Sequence, residues 1–304
     1  MAEKQGLPPL HILLAIAIMA VWGSNFTVIK LGLAHLPPLT FAMLRFIFVA
    51  FPLILLLPRP KVSWGNLAAY GLLIGAGQFG LLFTAMRASI TPGIASLILQ
   101  MQVFFTIGLS MWLTGERMAK VQVIALVLAS VGLATILAHT DGSATPLGLA
   151  LCVTAAFSWG CGNIVARNAV RADPALNMLA YVVWSAIFAV SPLLAFALVL
   201  EGPQAMLAGI AAADGATWSA VAWQSVGNTM FGYAAWGWLL GRHPAAQVAP
   251  MALMVPIFGL ATSALALGEP VQGWKIAAFA LVMSGLALGM LWPIVKDRLA
   301  RRTA

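Results

Sequence analysis

The sequence predicts an all-α membrane protein with ten transmembrane helices, arranged as two inverted repeats of five helices. Three observations lead to this prediction: the apolar composition, ten apolar segments of membrane-spanning length, and a pattern that occurs once in each half. Of the 304 residues, 62% are hydrophobic and only 8% are charged, whereas a soluble domain carries about 25% charged residues. A water-soluble surface cannot be built from so few charged groups.

The ten apolar segments are each long enough to cross a bilayer whose hydrocarbon core is ~30 Å thick. Turn-forming or charged stretches such as HLPP, PRPK, GERMAK and EGP separate them, because proline and glycine end or turn helices. The predicted spans are 11–31, 39–58, 64–86, 91–113, 121–139, 146–167, 176–200, 215–240, 245–267 and 274–295.

The basic residues predict the orientation of these spans. With the N-terminus inside, twelve of the 16 lysines and arginines fall on the inner side, and only Lys30, Arg87 and Lys275 fall on the outer side. Positively charged loops stay in the cytoplasm, so both termini are predicted to be cytoplasmic. The bases occur singly or in pairs and form no basic stripe, so the net charge of +8 is an orientation signal and does not indicate nucleic-acid binding.

A short polar pattern occurs twice in this apolar chain. VWGSNFTVIK covers 21–30 and SWGCGNIVAR covers 158–167, so that Trp-Gly lies within both the first and the sixth span. A second match places Gly-Glu after the fourth span, at Glu116, and after the ninth span, at Glu269.

These matches divide the chain into repeats 1–142 and 143–304 with five spans each. Because five is odd, the second repeat enters the membrane from the opposite side to the first. Inverted repeats are typical of secondary transporters, whose substrate site lies near the midplane between the repeats. An old gene duplication kept only for the fold is the alternative explanation.

The five-plus-five repeat, the length near 300 residues, the Trp-Gly pairs and the Gly-Glu pairs together resemble EamA-type carriers of the drug/metabolite transporter superfamily. Within that superfamily the chain is similar to bacterial exporters of aromatic and neutral amino acids. The resemblance implies a ten-helix fold around a central cavity, lined mainly by spans one, three, four, six, eight and nine.

Polar residues cluster on the same six spans, whereas spans five and ten are rich in Ala, Leu, Val and Gly. Polar groups are costly in hydrocarbon and therefore tend to face protein or water. The candidate substrate-binding residues are amides, tryptophans and methionines: Trp22, Asn25, Gln78, Gln100, Met101, Trp159, Asn163, Asn228, Met251 and Met254. The alternative roles are hydrogen bonding between helices for the amides, packing between repeats for the tryptophans and filling of apolar space for the methionines.

Three charged residues call for separate interpretations. Arg45 lies inside the second span, where three roles are open: reaching the interface, pairing with a backbone carbonyl or binding a substrate carboxylate. Glu116 and Glu269 are predicted to be structural, because each lies at a helix end where it can cap the following helix. No acidic residue lies in the middle of a span, so coupling through a buried carboxylate is disfavoured. No P-loop is present, so the chain does not use ATP.

A cavity with amides and tryptophans but no central carboxylate favours a small net-neutral solute, such as a zwitterionic amino acid. The predicted function is therefore a secondary transporter that exports such solutes across the bacterial inner membrane by alternating access. Its expected partners are the substrate and the lipid bilayer, with no cofactor, metal or nucleic acid, and the sequence does not require an oligomer. The alternatives are export of other small metabolites or drugs on the same fold, a channel, and a membrane-embedded enzyme, which the scattered carboxylates disfavour.

Overall fold

A computed structural model of the chain describes residues 8–114, 120–138, 144–242 and 249–300. Within these ranges the backbone is almost entirely helical, and its extended pairing is limited to one isolated antiparallel bridge between Ile90 and Ala144. Helices occupy all ten segments that the sequence predicted, within a few residues at their described ends. The all-helical class is therefore confirmed.

The helices are numbered here in chain order, and several are continuous runs of α-, π- and 3₁₀-helix. In the first half they are α1 (Pro9–Gly32), α2 (Pro38–Leu56), α3 (Trp64–Arg87), α4 (92–114) and α5 (Lys120–Leu137). In the second half they are α6 (Pro146–Ala172), α7 (Met178–Glu201), α8 (Pro203–Ala212), α9 (215–242), α10 (249–267) and α11 (Gly273–Ala300). Helix α8 is short and was not predicted from the sequence.

Five of these helices, α1, α2, α3, α6 and α7, are each long and apolar enough to cross a membrane. The short α8 and the following α9 pass the same test only as a pair, and they are bent by 105° relative to each other. The chain is thus a membrane protein with several spans. The arrangement of ten spans as inverted repeats stays a prediction.

Local sequence signals explain where most of the helices begin. Proline occupies the first turn of α1, α2 and α6, where its missing N–H costs nothing. Asp214 caps α9 by accepting the backbone N–H and the hydroxyl of Thr217, both at 2.8 Å. These two hydrogen bonds, with a smaller contribution from His35, lower the pKa of the Asp214 carboxyl below its usual value.

One helix of each half contains a nine-residue π-helical stretch, Leu72–Gly80 in α3 and Trp223–Phe231 in α9. Such stretches are rare and occur frequently at functional sites. Gln78 lies in the first stretch and Asn228 in the second. The widened turns therefore shape the backbone that presents two of the candidate residues.

The helices pack in pairs that correspond between the two halves. Helix α1 packs against α10 and α9, and its counterpart α6 packs against α4 and α3. Helix α2 packs against α7, and α5 against α11. The contacts of α1 thus correspond to those of α6. The α2–α7 contact and the α5–α11 contact each join two helices that have the same position in the two halves.

Two glutamates cap helices that are distant in sequence. The Glu201 carboxylate accepts hydrogen bonds from the backbone N–H of Leu39 at 2.6 Å and of Thr40 at 3.0 Å, in the first turn of α2. The Glu269 carboxylate accepts the Thr91 hydroxyl at 2.5 Å and the Gly93 N–H at 3.2 Å, at the start of α4.

Glu269 also accepts the Ser263 hydroxyl and forms a buried ion pair with Lys275 at 3.7 Å. The structural role predicted for Glu269 matches these contacts. The helix that it caps is α4, in the other half, and its ion pair with Lys275 lies in the first turn of the following helix, α11. Its sequence counterpart Glu116 lies outside the described residues.

Candidate functional site

A small, partly open cavity lies between helices of both halves. Its volume is about 30 Å³, which gives room for about two water molecules. Six of the sequence-predicted residues line it: Trp22, Asn25, Gln78, Gln100, Trp159 and Asn228. The other lining residues were not predicted from the sequence, because apolar side chains of a membrane protein look the same in sequence whether they line a cavity or pack against other helices. They are Phe26, Phe79, Leu82, Leu99, Tyr233 and Val255.

The two tryptophans of the repeated pattern meet at this cavity. The Trp22 and Trp159 rings are 6.5 Å apart between centroids and nearly perpendicular, in an edge-to-face arrangement. The Trp22 indole N–H donates to the backbone carbonyl oxygen of Asn228 at 3.2 Å. One tryptophan from each half therefore forms the aromatic wall.

The glycines that follow these tryptophans explain the second part of the repeated pattern. A Cβ atom on Gly23 would lie 2.6 Å from the Val255 carbonyl oxygen of α10, and a Cβ on Gly160 would lie 2.8 Å from the Phe105 Cβ of α4. Small residues of this kind let helix backbones approach closely in membranes. In both halves, Trp faces the cavity and Gly permits the neighbouring helix contact.

Three amide side chains at the cavity have unpaired polar atoms. Asn25 Oδ1, Gln78 Oε1 and both polar atoms of Gln100 lack a hydrogen-bond partner, although these residues are only 4%, 1% and 1% exposed. Leaving a buried polar atom unpaired costs about 1–3 kcal/mol, and folded proteins rarely do so. Unpaired amides around a cavity are consistent with atoms that bind a polar ligand.

The remaining four candidates lie elsewhere. Asn163 donates to Gln102 Oε1 at 2.8 Å and to Thr106 Oγ1 at 3.2 Å, and so joins α6 to α4. Met101 is buried in the apolar core. Met251 and Met254 are partly buried and pack against the same core. The structure thus brings the tryptophans and four amides together but leaves Asn163 and the methionines outside the cavity lining.

Arg45 is fully buried in α2, beside this cavity. Its Nε and Nη2 atoms donate to Thr229 Oγ1 at 3.1 and 2.7 Å, and Thr229 donates its own proton to the Gln224 carbonyl oxygen at 2.8 Å. The Arg45 guanidinium carbon lies 3.5 Å from the centroid of the Phe79 ring. At 0% exposure, Arg45 does not extend to the interface.

A second, smaller cavity of about 10 Å³ adjoins Arg45. Ser185 and Tyr70 line it, together with Phe79 and Tyr233, which also line the larger cavity. The Ser185 hydroxyl oxygen and Arg45 Nη1 are buried without hydrogen-bond partners. Two aromatic side chains therefore separate a buried cation from the larger cavity.

An apolar helical fold with several membrane spans and a cavity lined by amide and aromatic side chains is typical of a membrane transporter of small molecules. The chain belongs to the EamA-like transporter family, which matches residues 9–138 and again residues 146–291. The resemblance predicted from the sequence is confirmed, and the protein is a transporter and not an enzyme.

Two curated relatives match almost the whole chain. A protein of Salmonella typhimurium strain LT2 is 40% identical over 95% of this chain and 96% of its own, and one of Escherichia coli K12 is 38% identical over 96% and 97%. Both are named "Probable amino-acid metabolite efflux pump". A solved crystal structure aligns with a TM-score of 0.62 and 19% identity over 98% of this chain and 99% of that chain, a likeness that shows the fold alone.

Proposed function

We propose that this protein exports amino acids or amino-acid metabolites, as small net-neutral solutes, by alternating access. The observation that carries the proposal is the set of unpaired amide atoms on Asn25, Gln78 and Gln100 at the larger cavity. The names of the two relatives, amino-acid metabolite efflux pumps, support the same substrate class.

The chemistry of the cavity fits the ammonium end and the side chain of an amino acid. Three amide oxygens, Asn25 Oδ1, Gln78 Oε1 and Gln100 Oε1, have free acceptor capacity, and an ammonium group has three donors and no acceptor. The Trp22 and Trp159 rings and apolar residues such as Leu82 supply surface for a substrate side chain. Within the described residues no carboxylate lines the cavity, so a substrate with a net positive charge is disfavoured.

The cavity must enlarge for a solute of this size to enter, because it now accommodates only about two water molecules. Helix pairs that correspond between the halves provide a basis for such a movement. The packing of α1 on α10 matches that of α6 on α4, and both contacts are made at a glycine. We propose that 1–142 and 143–304 are inverted five-helix repeats, and that exchange between two packings of these pairs opens the site to alternate sides.

The distribution of basic residues supports a location in the bacterial inner membrane with both termini in the cytoplasm. In this orientation Glu201, Asp214 and Glu269 lie at the outer face, as do Lys30, Arg87 and Lys275. The lipid bilayer is then the only partner besides the substrate that the proposal needs.

Flux measurements on purified protein in proteoliposomes test this function. We expect uptake of some members of a labelled amino-acid panel to be saturable and to be accelerated by unlabelled amino acid on the opposite side. Absence of uptake of every amino acid by folded, inserted protein would overturn the substrate class and favour another small metabolite or drug. Uptake that neither saturates nor responds to solute on the opposite side would instead identify a channel.

A further inference from the structure

Arg45 is a buried cation for which the described part of the chain provides no anionic partner. Its two hydrogen bonds go to a neutral hydroxyl, that of Thr229, and no ion pair forms between Arg45 and any described acidic side chain. The guanidinium remains charged at any physiological pH. An unpaired charge in the membrane interior is costly and marks a functional site whose partner has to be identified.

The unused donors at this position share one cavity. Arg45 and Ser185 are both among the residues that line the cavity of about 10 Å³, and Arg45 Nη1 and the Ser185 hydroxyl both lack a hydrogen-bond partner. Thr229 cannot complete the pairing, because its hydroxyl proton is already donated to Gln224. These two residues thus place unused donors and a positive charge beside the cavity, and this combination is complementary to a carboxylate.

We propose that Arg45 and Ser185 form a subsite for the carboxylate of the substrate, so that the transported solute itself supplies the missing counter-ion. This inference rests on the proposed function and extends it, because it requires a free carboxylate on the substrate. The unpaired amide oxygens of Asn25, Gln78 and Gln100 then bind the ammonium group.

Phe79 controls access to this subsite. Its ring lies 3.5 Å from the Arg45 guanidinium and lines both cavities. In the present arrangement the ring faces the cation and contributes a cation–π contact. In this inference, rotation of the Phe79 side chain lets a carboxylate take the place of the ring at Arg45. An uncharged ligand gains less from this rotation than an anionic group does.

The test compares an amino acid with its own primary amide, which keeps the ammonium group and side chain but lacks the carboxylate charge. The probe is the amino acid that the flux panel ranks first, and dissociation constants are measured by titration calorimetry on protein in nanodiscs. We expect wild-type protein to bind the amino acid at least about 30-fold more tightly than the amide, because charge-assisted hydrogen bonds are lost with the carboxylate.

In Arg45→Gln this preference should fall to about 3-fold or less, chiefly through weaker binding of the amino acid. Arg87→Gln removes an arginine at the outer end of α3, away from both cavities, and should keep the wild-type preference. A wild-type protein that binds the amide as tightly as the amino acid would overturn the inference, and so would an Arg45→Gln variant with an undiminished preference.

A second variant keeps the test decisive if Arg45→Gln does not fold. Thr229→Asp places a carboxylate where Arg45 already donates two hydrogen bonds, so it provides an internal counter-ion. We expect this variant to melt at a higher temperature than wild type and to lose the preference for the amino acid over the amide. An unchanged preference in Thr229→Asp would contradict the carboxylate subsite.

The outcomes also separate this inference from the proposed function. If amino acids are bound and transported without discrimination against their amides, the proposed function stands and the carboxylate subsite fails. If neither amino acids nor amides are bound or transported, the proposed function fails, and the carboxylate subsite fails with it.

Discussion

Two amide side chains of the repeated sequence pattern differ in their surroundings. Asn25 follows Trp22 by three residues and lines the cavity, whereas Asn163 follows Trp159 by four residues and bonds to Gln102 and Thr106 of α4. One residue in a helix corresponds to a rotation of about 100°. The inserted residue therefore turns Asn163 away from the position that Asn25 occupies.

The first prediction contrasts an unpaired amide with a paired one. Gln100→Leu removes two buried atoms that lack partners, so we expect an unchanged or higher melting temperature together with at least about 10-fold weaker substrate binding. Asn163→Leu breaks two hydrogen bonds between α6 and α4, so we expect a lower melting temperature and transport per folded molecule within about 2-fold of wild type. Thermal unfolding and proteoliposome flux, measured on the same preparations, check both expectations.

The opposite pattern would reassign the two residues. A loss of melting temperature in Gln100→Leu without a loss of binding would identify Gln100 as a structural residue. Strongly reduced substrate binding in a stable Asn163→Leu variant would assign Asn163 to the substrate site.

At the scale of helices, the Trp-Gly pattern marks two equivalent contacts. Gly23 lies against Val255 and Phe258 of α10, and Gly160 lies against Phe105 and Thr106 of α4. A side chain at either position separates a close helix pair. Because the paired helices also carry the cavity lining, these contacts couple stability to the shape of the site.

We therefore expect Gly23→Ala and Gly160→Ala each to lower the free energy of unfolding by about 1–3 kcal/mol, the usual cost of overpacking a filled interface. Gly65→Ala is the matched control, because a Cβ at Gly65 meets no atom within 4 Å and alanine favours the helical backbone. Unfolding of all three variants in mixed detergents measures the effect. Wild-type stability in both Gly23→Ala and Gly160→Ala would show that the helix pairs are not closely packed.

The cap formed by Glu269 connects the halves at the start of α4. Glu269→Gln keeps one acceptor oxygen, whereas Thr91 and Gly93 donate to different oxygens of Glu269. It also removes the charge that faces Lys275, a residue only 2% exposed. Removing one member of a buried ion pair is usually destabilising.

For Glu269→Gln we expect a melting temperature about 5 °C or more below wild type, with transport per folded molecule retained. The double variant Glu269→Gln/Lys275→Met removes both charges and should recover part of that loss. Loss of transport at a wild-type melting temperature would instead assign Glu269 to the transport mechanism.

Much of this architecture could be predicted from the composition and from the residues that separate the apolar segments. Long apolar segments bounded by proline, glycine and charge located the helices, and the two Trp-Gly pairs located the aromatic wall. The π-helical stretches and the short α8 could not be predicted, because backbone hydrogen-bond register is set by tertiary packing and has no local signal here. Phe79, Tyr233 and Ser185 were missed for a similar reason, since a packing residue and a site residue of these types look alike in sequence.

At the scale of the whole molecule, the cavity of about 30 Å³ lies between two halves whose helix contacts correspond. Residues from both halves line this cavity, and none of the described lining side chains is a carboxylate. We propose that this cavity is the substrate site and that it opens alternately to the two sides of the membrane.

Accessibility of a single cysteine in the cavity tests this claim most directly. Leu99→Cys, in a background in which Cys152 and Cys161 are replaced by alanine, is treated with a membrane-impermeant thiol reagent in right-side-out and inside-out vesicles. The account predicts labelling from either side, with protection from both by a saturating transported amino acid. Labelling from one side only, or labelling that substrate does not slow, would contradict it.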